Sequence, residues 1–226
     1  MRTCFYIIMG MIAWLGSMAQ TAPFRYYEKS KVGYKDANEV IIVAPIYDAG
    51  SEFKNGLALV LQNRKRGFIN AEGKIVIPLI YDDASLFCNG LAKVSMNRMY
   101  GYIDVQGKKI IDFLFNEAYD FTNDKFARVR TEMGWNFIDA SGDFISKKFF
   151  SQADDFSEGL APIKIKEKWG YINTKGKLVI QPQYDVVGRF TKEGAVVTLR
   201  NKQFFIDKQG QISKELREIR TEEERE

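Results

Sequence analysis

Between residues 33 and 212 short apolar strands alternate with turn residues, and the alternation itself repeats. Gly33, Gly67, Gly101, Asn136, Gly170 and Phe204 occupy one column, with steps of 34, 34, 35, 34 and 34 residues. Ala58, Ala92, Ala127, Ala161 and Ala195 keep the same spacing, as do Gly73, Gly107, Gly142, Gly176 and Gly210. Several columns held in register over five copies identify a tandem repeat. The single step of 35 comes from one extra residue in Thr122-Asn123-Asp124-Lys125.

Each unit opens with an aromatic-rich strand, such as Tyr100-Gly101-Tyr102-Ile103-Asp104. A turn with Asx at its first position and Gly at its fourth follows, as in Asp104-Val-Gln-Gly107 and Asn173-Thr-Lys-Gly176. The Asx side chain accepts backbone N–H groups, and Gly tolerates the left-handed backbone of a turn plus bulge. A β-branched strand returns, as in Lys177-Leu178-Val179-Ile180, and Pro45, Pro78 and Pro182 are expected to end pairing for want of an N–H. A connecting segment carries an aromatic residue (Tyr47, Tyr81, Phe115, Phe150, Tyr184) and then Phe53, Phe87, Phe121, Phe156 or Phe190. A second turn leads to an alternating third strand, as in Leu91-Ala92-Lys93-Val94, and a polar tip joins it to the next unit. The pattern predicts an all-β chain of five full units and a partial sixth, about three antiparallel strands each. An open, curved or twisted stack is expected, with a closed propeller-like ring as the alternative.

The stretch Lys168-Trp169-Gly170-Tyr171-Ile172-Asn173-Thr174-Lys175-Gly176-Lys177, then Pro182-Gln183-Tyr184-Asp185, resembles the bacterial WG-repeat family, as does Phe156-Ser157-Glu158-Gly159-Leu160-Ala161. The naming dipeptide is intact only at Trp169-Gly170; other copies read Arg66-Gly67, Tyr100-Gly101, Trp135-Asn136 and Gln203-Phe204. The resemblance implies an all-β repeat in an envelope or secreted setting, and no settled activity.

Composition narrows the chemistry. There is no histidine, which removes the commonest general base, Ser-His and Cys-His nucleophile pairs and His-ligated metal sites. Two cysteines exclude a disulfide framework and a four-cysteine zinc site. A net charge of +4 is too mild to imply nucleic acid. No phosphate loop, dinucleotide fingerprint or nucleophile elbow occurs, and no cofactor is expected.

Charge and aromatics supply the candidate site. The tips carry Arg64, Arg66, Arg98, Lys166, Lys168 and Lys202, and the connecting loops carry Asp82, Asp83, Asp154, Asp155 and Asp185. Stacking aligns equivalent positions, so one basic edge and one separate acidic edge are expected. The basic edge would suit an unidentified protein or an acidic envelope polymer. Trp135 and Trp169 lie beside the tips and would serve a carbohydrate-binding module. Asp154 and Asp155 would be the pair of an acid-driven hydrolase, although solvated loop acids explain them as well. The reading that follows is a non-catalytic interaction module.

The ends differ in composition. Arg2, an apolar run from Cys4 to Gly16, and Ser17-Met18-Ala19 have the layout of a secretory signal peptide, with retention as an anchor the alternative. The expected organisation is a signal peptide over 1–19, a linker over 20–32, repeats over 33–212 and a charged, solvated tail over 213–226. The expected address is secreted or periplasmic. Exported protein should begin at Gln20; an intact mass that retains Met1 to Ala19 would favour the anchor.

Overall fold

A computed structural model describes residues 22–218 of the chain; the expected signal peptide lies outside these residues. The hairpins form where the turn residues close on themselves. Asp104 Oδ1 accepts the N–H groups of Gln106 and Lys108 at 3.0 and 2.9 Å, while Gly107, at φ +79°, donates to Asp104 O at 2.9 Å. The tips are two-residue turns with both φ values positive, at Asn63-Arg64, Asn97-Arg98 and Arg200-Asn201. That turn matches the right-handed twist of the strands it joins.

These hairpins build six antiparallel sheets, each running in sequence order, and no helix occurs among the described residues. The first sheet is Phe24–Glu28, Lys31–Lys35 and Ile41–Tyr47. The second is Ala49–Gly50, Leu57–Gln62, Lys65–Asn70 and Ile75–Tyr81. The third is Asp83–Ala84, Leu91–Met96, Met99–Asp104 and Lys109–Phe115. The fourth is Glu117–Ala118, Ala127–Thr131 and Gly134–Ile138. The fifth is Gln152–Ala153, Leu160–Ile165, Lys168–Asn173 and Leu178–Tyr184. The sixth is Val186–Val187, Ala195–Leu199, Lys202–Ile206 and Ile212–Glu218.

Four expectations change. A full sheet has four strands, because the connecting segment adds a two-residue strand, as Asp83–Ala84 does against Val94 and Ser95. The expected linker contains the strand Phe24–Glu28, paired with Lys31–Lys35. The strand Ile212–Glu218, which closes the sixth sheet against Lys202–Ile206, runs from the end of the expected repeats into the expected solvated tail. The prolines do not end pairing either. Each sits in a bulge where the register skips and then resumes, as Phe68↔Ile77 and Arg66↔Tyr81 bracket Pro78.

The bulge explains the glycine column. Three residues, Asp112 to Leu114, pass over Gly101, because Tyr102 pairs with Ile111 and Tyr100 with Phe115. A Cβ on Gly101 would lie 2.6 Å from Ile111 O and 2.9 Å from Asp112 O. Where glycine is absent the bulge changes. Asn136 is fully buried, and its Nδ2 donates to Ser146 O at 2.8 Å and Lys148 O at 3.3 Å. The fourth sheet accordingly has no fourth strand, only the isolated bridges Trp135↔Phe150 and Ile138↔Phe144.

Five cores lie between the six sheets. Each joins Tyr34, Phe68, Tyr102, Phe137 or Tyr171 of one sheet to an alanine and aliphatic residues of the next. These rings meet Phe53, Phe87, Phe121, Phe156 and Phe190 at centroid distances of 5.1, 4.8, 5.1, 4.7 and 4.8 Å. Such tilted and edge-on pairs add roughly 0.5–1.5 kcal/mol beyond area burial. The aromatic columns are therefore core. Among the described residues no sixth core joins the first sheet to the last, so the array is open.

Gly101→Val should destabilise the protein by about 3 kcal/mol through overpacking, and Tyr171→Phe by about 1 kcal/mol through its lost hydrogen bond. Denaturant midpoints test both; a Gly101→Val midpoint within error of wild type would place the bulge elsewhere.

Candidate functional site

The tips do not present a free basic edge. Each return strand ends beside a tip, so the acids that follow it sit at the same end of the stack as the lysines and arginines. Asp82 Oδ1 lies 2.5 Å from Lys65 Nζ, and its Oδ2 accepts the Asn97 N–H at 2.9 Å. Asp48 does the same for Lys31 and Asn63, and Asp185 for Lys168 and Arg200. Each acid thus ties the tip of one sheet to the tip of the next. The lysine bond, helped by the backbone N–H, holds all three carboxyls below their ordinary range.

The separate acidic and basic edges expected from the sequence are therefore replaced by one paired edge. Of the six basic candidates, Arg66 pairs with Asp83 at 2.7 Å, Lys168 with Asp185, and Lys202 with Glu215 at 3.3 Å. Arg64, Arg98 and Lys166 are exposed, with no ion pair among the described residues.

The two tryptophans do converge. Trp135 and Trp169 are half-buried and line one cleft of about 600 Å³ across the fourth, fifth and sixth sheets, with Glu117, Arg130, Gln152 and Asp154. Tyr100 occupies the same repeat position one sheet earlier and lines an adjoining pocket that shares Glu117. The result is a row of three aromatic side chains on successive sheets. Such sheets pack about 10 Å apart. Cations hold the rings: Arg128 and Arg130 lie 5.2 and 5.9 Å from the Trp135 centroid, and Lys164 lies 5.9 Å from that of Trp169. Arg130 also pairs with Glu117 at 2.5 Å.

At the cleft wall and just behind it, Asp154 and Asp155 are paired with arginines and not arranged as an acid and a base. Arg189 Nε and Nη2 donate to Asp154 at 2.8 and 2.6 Å, and Nη2 reaches Asp155 at 3.0 Å. Arg128 Nη1 donates to Ala153 O at 2.5 Å and to Asp154 at 3.1 Å. Arg128 Nε faces Asp155 Oδ1 at 3.3 Å, an ion pair without hydrogen-bond geometry. The side chains of Arg128 and Asp155 are only 12% and 19% exposed. Burial disfavours ionised Asp154, but the Arg189 hydrogen bonds, the Asp155 N–H and the two guanidinium charges outweigh it. The carboxyl is held below its ordinary range.

Sequence reasoning missed Arg128, Arg130, Arg189 and Gln152. A signal existed for the first: Arg128 stands where other units place Leu59, Lys93, Pro162 and Val196 opposite the core aromatic. Cys88 is free; its Sγ donates to Phe121 O at 3.1 Å, a contact within the stack.

Arg128→Ala should destabilise by about 3 kcal/mol, because it strands a partly buried pair of acids. Asp154 has a depressed folded pKa, so its stabilising contribution is full above the unfolded value of 3.8 and is lost as pH falls through the lower folded value. Thermal melts between about pH 5 and pH 2 should show that loss, and Asp154→Asn should flatten it.

The model of the WG containing repeat matches residues 33–65, 67–98, 100–132, 135–169 and 169–202. No curated protein matches the chain. Among solved structures the chain is similar to a crystal structure of a eukaryotic initiation factor, at 12% identity and a TM-score of 0.54. That match covers 88% of this chain and 63% of the other, so this chain spans less than two thirds of its length. Similarity extends to Kluyveromyces lactis Hsv2p, at 10% identity and a TM-score of 0.46, over 84% of this chain and 72% of that one. At such identity the first likeness speaks to the fold alone. The five family matches cover most of the described chain and follow the glycine column, and the chain belongs to the WG-repeat family.

Proposed function

We propose that the protein is a non-catalytic recognition module and that the row Tyr100, Trp135 and Trp169 holds its ligand, a saccharide chain. The observation that carries this reading is the cleft itself. Two half-buried tryptophans from adjacent sheets face one space of about 600 Å³, with carboxylate, guanidinium and amide groups at its walls. Flat apolar faces beside fixed polar groups suit sugar rings, which present apolar C–H faces and a rim of hydroxyls. The repeat sets the aromatics one sheet apart, which fits an extended chain better than a single small molecule.

A charge-driven edge for an acidic polymer draws less support. Arg66, Lys168 and Lys202 are neutralised within the molecule, which leaves Arg64, Arg98 and Lys166 as exposed cations of the proposed stripe. The hydrolase reading also draws less support. A general acid needs a carboxyl that stays protonated near neutral pH, and Asp154 is held in the opposite direction by Arg189 and Arg128. The extracytoplasmic setting rests on Arg2, the apolar run and Ser17-Met18-Ala19.

Titration with neutral oligosaccharides, read by tryptophan fluorescence, tests the reading. Binding should fall at least roughly tenfold in Trp135→Ala and in Trp169→Ala, and should persist in Arg64→Glu/Arg98→Glu. Salt-sensitive binding to an acidic polymer, lost in the arginine variant and kept in the tryptophan variants, would restore the edge reading.

A further inference from the structure

The fourth sheet breaks the repeat at one place, and a second pocket opens there, away from the aromatic cleft. In four sheets three residues bulge over a glycine. In the fourth, Ile145 N donates to Phe137 O at 3.0 Å and Trp135 pairs with Phe150, so four residues, Ser146 to Phe149, pass over Asn136. The Asn136 amide props this segment by bonding Ser146 O and Lys148 O.

The displaced segment changes the packing against the fifth sheet. Elsewhere the turn glycine rests on an aliphatic side chain: Gly73 on Val43, Gly107 on Ile77, Gly142 on Ile111 and Gly210 on Ile180. Gly176 instead meets the backbone of Ile145 and Ser146. The Ile145 side chain is only half-buried, whereas Ile77, Ile111 and Ile180 are buried. A pocket of about 380 Å³ results. Its apolar wall is formed by Phe150, Ile165, Ile172 and Leu178, and three exposed lysines, Lys147, Lys148 and Lys175, stand at its mouth. Among the described residues none of the three makes an ion pair, in contrast to the tip lysines Lys31, Lys65 and Lys168.

We propose that this pocket binds a free long-chain carboxylate. Its volume falls within the range of small-molecule sites. An alkyl chain would occupy the aliphatic space that Ile145 leaves part-filled, and each buried methylene is favourable. The carboxylate would meet the three ammonium groups at the mouth, which make no ion pair among the described residues, in a charge-assisted contact.

The test uses the full chain and a dansylated undecanoate as fluorescent probe. Saturable one-to-one binding is expected, displaced by laurate at least roughly tenfold better than by dodecanol. Ile165→Trp, which fills the pocket, should abolish probe binding. Lys147→Glu/Lys148→Glu/Lys175→Glu, a surface change that leaves the core intact, should weaken it at least roughly tenfold while the thermal melt is unchanged. None of the three lysines lines the aromatic cleft, so oligosaccharide binding by the lysine variant reports on that site separately. The absence of probe binding would overturn the proposal. So would binding indifferent to the lysine variant, equal displacement by dodecanol, or retention on anionic vesicles alone.

Discussion

The fold depends on one aromatic residue per unit that belongs to two sheets at once. Tyr102 lies on the third sheet, but its ring packs on Phe121, and its hydroxyl donates to Tyr119 O at 2.6 Å, both in the segment that starts the fourth. Tyr34 bonds Ser51 O and Tyr171 bonds Gly188 O in the same way. Burial pushes all three hydroxyls well above the ordinary phenol range, so they remain donors. A three- or four-stranded meander has two faces and too little area to cover either by itself. Stability is therefore built between units, and in three of them the hydroxyl also holds the residue just beyond the short two-residue strand.

Much of this was legible in the sequence. The step of 34 residues, the Asx-x-x-Gly turns and the aromatic columns give strands, hairpins and core directly, since each has a local physical cause. The ends were not legible, for reasons that are also local. Phe24–Glu28 precedes the first glycine and lacks the alanine of its column, so it reads as linker until pairing with Lys31–Lys35 reveals it. Ile212–Glu218 reads as solvated because Lys214 stands opposite Phe205, where Ile180 stands opposite Tyr171. That substitution is itself the explanation: among the described residues no further sheet packs on the sixth, and a charged residue suits that uncovered face.

The electrostatic reading failed for a geometric reason. Equivalent residues do align in a stack, as the repeat predicts. Sequence alone does not say at which end of the strands a connecting loop begins. Because Tyr81 pairs with Arg66, Asp82 is carried to the tips, where its two oxygens serve Lys65 of one sheet and the Asn97 N–H of the next. The acids thus brace neighbouring tips instead of forming an edge of their own. Exposed pairs of this kind contribute little energy each, so what they fix is the position of the tips. Of the cleft tryptophans, Trp169 stands next to Lys168, the tip residue that Asp185 holds.

The fourth sheet shows how a repeat acquires individuality. Its glycine column carries Asn136, the only one of the six positions with a buried side-chain amide. An amide in that space must be satisfied, and it takes the carbonyls that the return strand would otherwise place elsewhere. The strand is lost, the wide segment Ser146 to Phe149 appears, and the interface with the fifth sheet opens. Arg128, on the same sheet, departs from its column as well, and it binds the acids beneath the tryptophans. Two departures in one unit thus flank the two pockets, Asn136 beside the lysine-lined one and Arg128 behind the cleft. In a stack whose other interfaces are filled by one recurring set of side chains, positions where the pattern fails are freed from packing, and specificity can be written there without loosening the rest.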